Sequence, residues 1–130
     1  ISAAAQVVKP GGAIILAAEC WDGIPEHGEF GALLKMASSP QRLLEIMSQP
    51  GFSRQDQWQA QVLAQVLLKA DVYVKNSYLS HDQLRGAMGQ PGDSIEKPVA
   101  ALMERFGQAA TICVMPEGPM TIPYLSPNPD

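Results

Sequence analysis

The segment Pro10-Gly11-Gly12-Ala13-Ile14-Ile15-Leu16-Ala17-Ala18-Glu19-Cys20-Trp21-Asp22-Gly23 constrains the fold more than any other part of the chain. It reads as a turn, an apolar strand and a polar loop that ends on glycine. A continuous apolar run bounded by turn residues is the pattern of a strand covered on both faces, as in parallel sheets. In open α/β sheets, ligands bind at the loops that follow the carboxyl ends of strands. Glu19, Cys20, Trp21 and Asp22 stand at that place, which makes this loop a candidate site.

Apolar, strand-like runs recur at 13–18, 70–74 and 110–115, with helix-like stretches between them. That alternation predicts an α/β fold: a three-layer domain with a mostly parallel sheet and crossover helices. A short helix is expected over 2–8. The first crossover contains helices over 29–37 and 40–48, then a third over 57–69, where Ser53-Arg54-Gln55-Asp56 reads as a capping box with Asp in the place of Glu. In that third helix Trp58, Val62 and Val66 share one face at four-residue spacing. Ser80 is expected to cap a short helix that Gly89-Gln90-Pro91-Gly92 ends. Asp93 or Ser94 caps a last helix that reaches Phe106 and stops at Gly107. The domain is expected over 1–125, with 126–130 a frayed tail.

The 130 residues suit one domain with a core large enough to fold alone. Nine basic against thirteen acidic residues give a formal charge of −4, the wrong sign for a nucleic-acid phosphate binder. No run approaches the roughly 18 apolar residues needed to span a bilayer, so no membrane partner is expected. No basic stretch precedes an apolar one at the start, so no signal peptide is read. The start at Ile1 rather than Met is read as a processed or excised chain. Two cysteines, Cys20 and Cys113, are too few for a disulfide scaffold and fit reduced thiols in a cytoplasmic protein.

Each chemistry-bearing residue has a structural alternative. Gly11-Gly12 precedes a strand, whereas phosphate-cradling glycine loops follow one, so it reads as a turn. His27 and His81 lie far apart, without a second His or Cys at ligand spacing, and no metal site is expected in this chain. His27, in the loop after the first strand, could reach a ligand or stay at the surface. Glu19 and Asp22 form an acidic pair at a strand end. As a general base either would need burial; the alternative for Asp22 is to hold the loop by hydrogen bonds. Cys20 has no neighbouring cation in sequence to activate it as a nucleophile. Trp58 either begins the core stripe or presents an aromatic wall and an indole N–H to a cleft.

Two segments together resemble the C-terminal domain of the nickel-dependent lactate racemase family. One is the run from Pro10 to Gly23, with Phe30 following. The other is Asp56-Gln57-Trp58-Gln59-Ala60-Gln61, leading through Val66-Leu67-Leu68-Lys69-Ala70 into the second strand. The resemblance covers nearly the whole chain, roughly Ile1 to Tyr124, and the order and spacing of elements through Pro116-Glu117-Gly118 also fit. It implies two α/β domains with an active-site cleft between them, a nickel-pincer nucleotide held mainly by the N-terminal catalytic domain, and hydride transfer at the carbinol carbon of a 2-hydroxy acid or sugar. It places the catalytic histidines and the cofactor lysine outside this chain, so no catalytic residue is expected here. Trp58 is the position it carries into the substrate and cofactor cleft, with Gln57, Asp22 and His27 as further candidates. The first loop departs from the family pattern, with Trp21 where a smaller residue is usual. On this reading the chain closes the cleft over its own N-terminal domain and is inert alone. The rival reading is a stand-alone α/β module that binds a small ligand or a protein through the loop after the first strand.

Overall fold

The computed structural model describes residues 1–24 and 28–124. His27 and the tail 126–130 lie outside the described residues. The elements run α1 (Ser2–Val7), β1 (Gly12–Ala17), α2 (Phe30–Leu34), α3 (Pro40–Met47), α4 (Gln57–Lys69), β2 (Ala70–Lys75), α5 (His81–Gly86), β3 (Gln90–Pro91) and α6 (Glu96–Phe106). Among the described residues the sheet has three strands in the order β1-β2-β3, all parallel. The α/β class and the parallel sheet with crossover helices stand as the sequence predicts.

Pairing between β1 and β2 sets Ile14 beside Val72 and Leu16 beside Val74. Because side chains alternate across a strand, these four share one face of the sheet. Ile14, Val72 and Val74 are buried there with Val66 of α4 and Leu84 of α5, and Ala4, Ala5 and Val8 pack against them from the amino-terminal helix. On the opposite face Asp71 accepts from Arg105 of α6 at 2.6 Å, which brings that helix to the other side. Gly11, at φ +76, makes the turn into β1, and its N–H donates to the Lys69 carbonyl at 2.8 Å. That bond aligns the start of the first strand with the end of α4.

A second cluster lies beside the sheet. Leu33 and Leu34 of α2, Leu43 and Met47 of α3, and Ala60 and Ala64 of α4 are buried together. The two alanines are four residues apart, so they stack on one side of α4, where small side chains let α2 and α3 approach. α4 thus serves both clusters. Ser39 caps α3 by accepting from the Arg42 N–H at 3.3 Å, with Pro40 in the first turn, where its missing N–H costs nothing.

Three expectations are corrected. Residues 110–115 form no strand; they carry no regular structure, with Ile112 62% and Val114 78% exposed. Among the described residues those two find no surface to cover, so the apolar pattern alone does not build a ladder. The third strand is instead Gln90–Pro91, within the segment read as a helix stop, paired through Tyr73↔Gln90 and Val74↔Pro91. A proline is tolerated there because the strand lies at the sheet edge. Finally, the 53–56 capping box does not form. Asp56 itself stands at the N-cap of α4, in the left-handed region at φ 61, and its side chain bonds nothing in its own helix. Ser80 does form a capping box, with reciprocal bonds to Gln83. The Ser94 hydroxyl accepts from the Lys97 N–H as α6 begins.

Candidate functional site

A cavity of about 420 Å³ opens at the carboxyl ends of the strands. Its floor is the sheet face of Leu16, Val72 and Val74, and one wall is the Trp58, Val62 and Val66 stripe of α4. Cys20, Gly23 and Ile24 bring the loop after β1 to its rim, and Phe30 of α2 adds a second aromatic group. The stripe grades along α4: Val66 is buried, Val62 half-buried, and Trp58 is 67% exposed at the mouth. The first turn of the helix therefore holds a large aromatic ring in reach of solvent. Its indole N–H is a donor in a lining that is otherwise chiefly apolar.

No carboxylate, imidazole, guanidinium or amine side chain is among the described residues of the lining. The chemistry such a surface offers is shape, exclusion of water and a few neutral polar groups: the Trp58 indole N–H, the Ser2 hydroxyl, the Gln59 amide and the Cys20 thiol. Asp22 is exposed on the turn closed by the Gly23 N–H and the Cys20 carbonyl at 3.0 Å, and it does not line the cavity. No hydrogen bond from its carboxylate is formed among the described residues. Gln57 is engaged elsewhere: its Oε1 accepts from the Arg54 N–H at 3.3 Å, and its Nε2 donates to the Met47 carbonyl at 3.4 Å. It ties the start of α4 to the end of α3. Glu19 is exposed beyond the strand end. His81 lies half-exposed, with Nε2 3.2 Å from Asp93. Cys20 lines the cavity with its backbone at φ 55, and Cys113 is exposed. Among the described residues no group of three or more His, Cys, Asp or Glu could hold a metal ion.

Sequence reasoning missed how the loop is anchored. Glu29 and Arg54, 25 residues apart, form a two-pronged ion pair, with Nε and Nη2 donating at 2.9 and 2.7 Å. The Asp56 carboxylate accepts from the Glu29 N–H at 3.0 Å. The guanidinium beside it holds the Glu29 carboxyl below the usual glutamate range, chiefly through the side-chain hydrogen bond. The one local signal was the residue type at 56, since Asp tolerates the left-handed conformation better than most.

This geometry defines a parallel α/β domain with an apolar cavity at the carboxyl ends of its strands. The sequence model of the lactate racemase C-terminal domain matches residues 1–122, and the chain belongs to that family. The lactate racemase of Thermoanaerobacterium thermosaccharolyticum is 27% identical over 120 residues, and that of Lactiplantibacillus plantarum 26% over 119. Each alignment takes in 91% of this chain but 28% of the relative, so the chain spans less than a third of their length. The solved lactate racemase apoprotein from T. thermosaccharolyticum superposes with a TM-score of 0.78 at 26% identity, over 90% of this chain and 28% of that one.

Proposed function

We propose that this domain forms one side of the active-site cleft of a racemase or epimerase acting on a 2-hydroxy acid or related carbinol. It closes over a larger N-terminal catalytic domain and is inert alone. The observation that carries the reading is Trp58, two-thirds exposed at the mouth of an apolar cavity on the ligand-binding side of the sheet. An exposed indole there adds little to the core, yet can pack against a bound molecule. Family membership, and a match to only 28% of each lactate racemase, support a partner domain that carries the remaining machinery.

The residues present fit a nickel-pincer nucleotide as a covering wall and not as a ligand set, because among the described residues the cavity lining offers a single thiol, Cys20, and no cluster of three or more metal-binding groups. Such a cofactor, when bound to the partner domain, supplies a hydride acceptor. This chain's part is to cover the reacting centre and exclude water, which strengthens electrostatic interactions inside the cleft and prevents side reactions. Gln57 contributes by fixing the turn that carries Trp58, while Asp22 stands on the loop after β1. The free thiols Cys20 and Cys113 suit a reducing, cytoplasmic setting.

The test uses the full-length protein loaded with its nickel cofactor and a panel of chiral 2-hydroxy acids and sugars. Trp58→Ala is expected to lower kcat/KM by about 100-fold, the scale set by losing a positioning contact at a reacting centre, and Trp58→Phe to recover part of it. Unchanged activity in a folded Trp58→Ala protein would return Trp58 to a packing role. Racemisation by the purified domain alone would end the claim that it is inert.

A further inference from the structure

We propose that Asp56, acting with the Glu29–Arg54 pair, is a positioning latch that fixes the loop after β1 against the start of α4 and so sets where Trp58 stands at the cleft. This rests on the reading of Trp58 as a cleft wall. Asp56 occupies the N-cap of a thirteen-residue helix, the place where an Asp ordinarily accepts from the helix's own second or third N–H. It makes no such bond. Its Oδ2 instead reaches 27 residues back in sequence to the Glu29 N–H. The Glu29 side chain returns the link by gripping Arg54, two residues before Asp56. Three hydrogen bonds therefore cross between the segments in both directions. Phe30 follows Glu29 directly, Trp58 comes two residues after Asp56, and both line the cavity.

The backbone is arranged for this contact at a local cost. Asp56 is held at φ 61, a conformation that disfavours side chains larger than glycine. On the other side Gly28 lies at φ +84, and a Cβ there would run into the Asp56 carboxylate. The helix forgoes its cap, one residue is strained, and the approach admits only glycine. Fold stability does not need the latch, because α2 and α4 already meet through the buried cluster of Leu33, Leu34, Ala60 and Ala64, while both side chains of the ion pair are 35% exposed. Exposed ion pairs contribute little to stability. Where local rules are broken without local gain, the gain lies in function.

The test compares Asp56→Ala, Asp56→Asn and Glu29→Gln in the full-length loaded protein, alone and combined with Trp58→Ala. Hydrogen exchange is followed in peptides covering residues 20–30. A latch predicts a 10- to 100-fold loss of kcat/KM in Asp56→Ala and faster exchange of the loop, in a protein that stays folded. Asp56→Asn stays within a few-fold, because its amide oxygen still accepts from Glu29 and Asn tolerates the left-handed conformation. In the Trp58→Ala background, Asp56→Ala adds no further loss. If Asp56→Ala does not fold, Glu29→Gln, which removes the charge of the pair and leaves Asp56 in place, is expected to lose about 10-fold and to loosen the same peptides. Full activity of Asp56→Ala beside a crippled Trp58→Ala overturns the latch and keeps the cleft. A loss that adds fully to that of Trp58→Ala, or a folding failure with Glu29→Gln fully active, also overturns it. Full activity of both Trp58→Ala and Asp56→Ala defeats the cleft reading itself.

Discussion

Two apolar regions of this domain have opposite fates. Leu33, Leu34 and Leu43 lie among α2, α3 and α4 almost without exposure, whereas Ile112 and Val114 stand mostly in solvent on a run that is no less apolar in sequence. The difference is periodicity. Apolar residues repeat at helical spacing in the first region, so one side of each helix meets its neighbours. The second region has the composition of a strand but no described partner for its backbone. Hydrophobicity supplies the tendency to leave water, and a complementary surface decides whether it is realised.

The largest expected effect tests this contrast directly. Leu43→Ala removes a side chain with no exposure and should destabilise the purified domain by about 2–5 kcal/mol, with the cavity left behind included. Val114→Ser, on the exposed run, should change stability by no more than about 0.5 kcal/mol. Urea denaturation of both variants checks the pair. A Val114→Ser cost near that of Leu43→Ala would mean that the run is packed in solution, and the contrast would collapse.

The same contrast explains what the sequence could reveal. β1 and β2 were legible because their apolar runs are bounded by turns and pair with each other over their full length. α4 was legible over its full length because Gln57 to Lys69 holds no Gly or Pro and keeps its stripe. The strand at Gln90–Pro91 was not, since two residues carry no period and their pairing depends on Tyr73 and Val74 from another element. Trp58 was visible as an aromatic ring among polar residues, but its exposure depends on where the loop after β1 stops. The latch was hidden for a related reason: its partners are separated by 25 and 27 residues, and the natural local reading of Asp56 was as a cap.

A smaller effect sharpens the comparison by setting an exposed polar contact against an exposed apolar side chain. Ser80 and Gln83 satisfy each other's backbone N–H groups at the start of α5, the helix that sends Leu84 into the core below the sheet. Ser80→Ala should cost about 1 kcal/mol, more than Val114→Ser despite the hydroxyl's small size, because it leaves the Gln83 N–H at the helix start without a partner. Thermal melts of the two variants side by side measure the order. If Val114→Ser proves the more costly, surface apolar area matters here more than capping.

The smallest effect concerns the Glu29–Arg54 pair, where pH substitutes for mutation. Its carboxyl titrates below the usual glutamate range in the folded protein because Arg54 donates to the charged form. A group whose folded value is depressed stabilises the fold fully at pH above its unfolded value, and loses that contribution as pH falls through the folded one. Glu29→Gln should therefore lower the urea midpoint slightly near neutrality, and not at all once the pH has fallen below the depressed folded value and the wild-type carboxyl is protonated. High salt should shrink the neutral-pH difference, since a pair this exposed is readily screened. A difference that stayed constant from neutral to acid would show that Glu29 acts through packing and not through its charge. The loop would then be held by the Asp56 carboxylate and the Glu29 N–H alone.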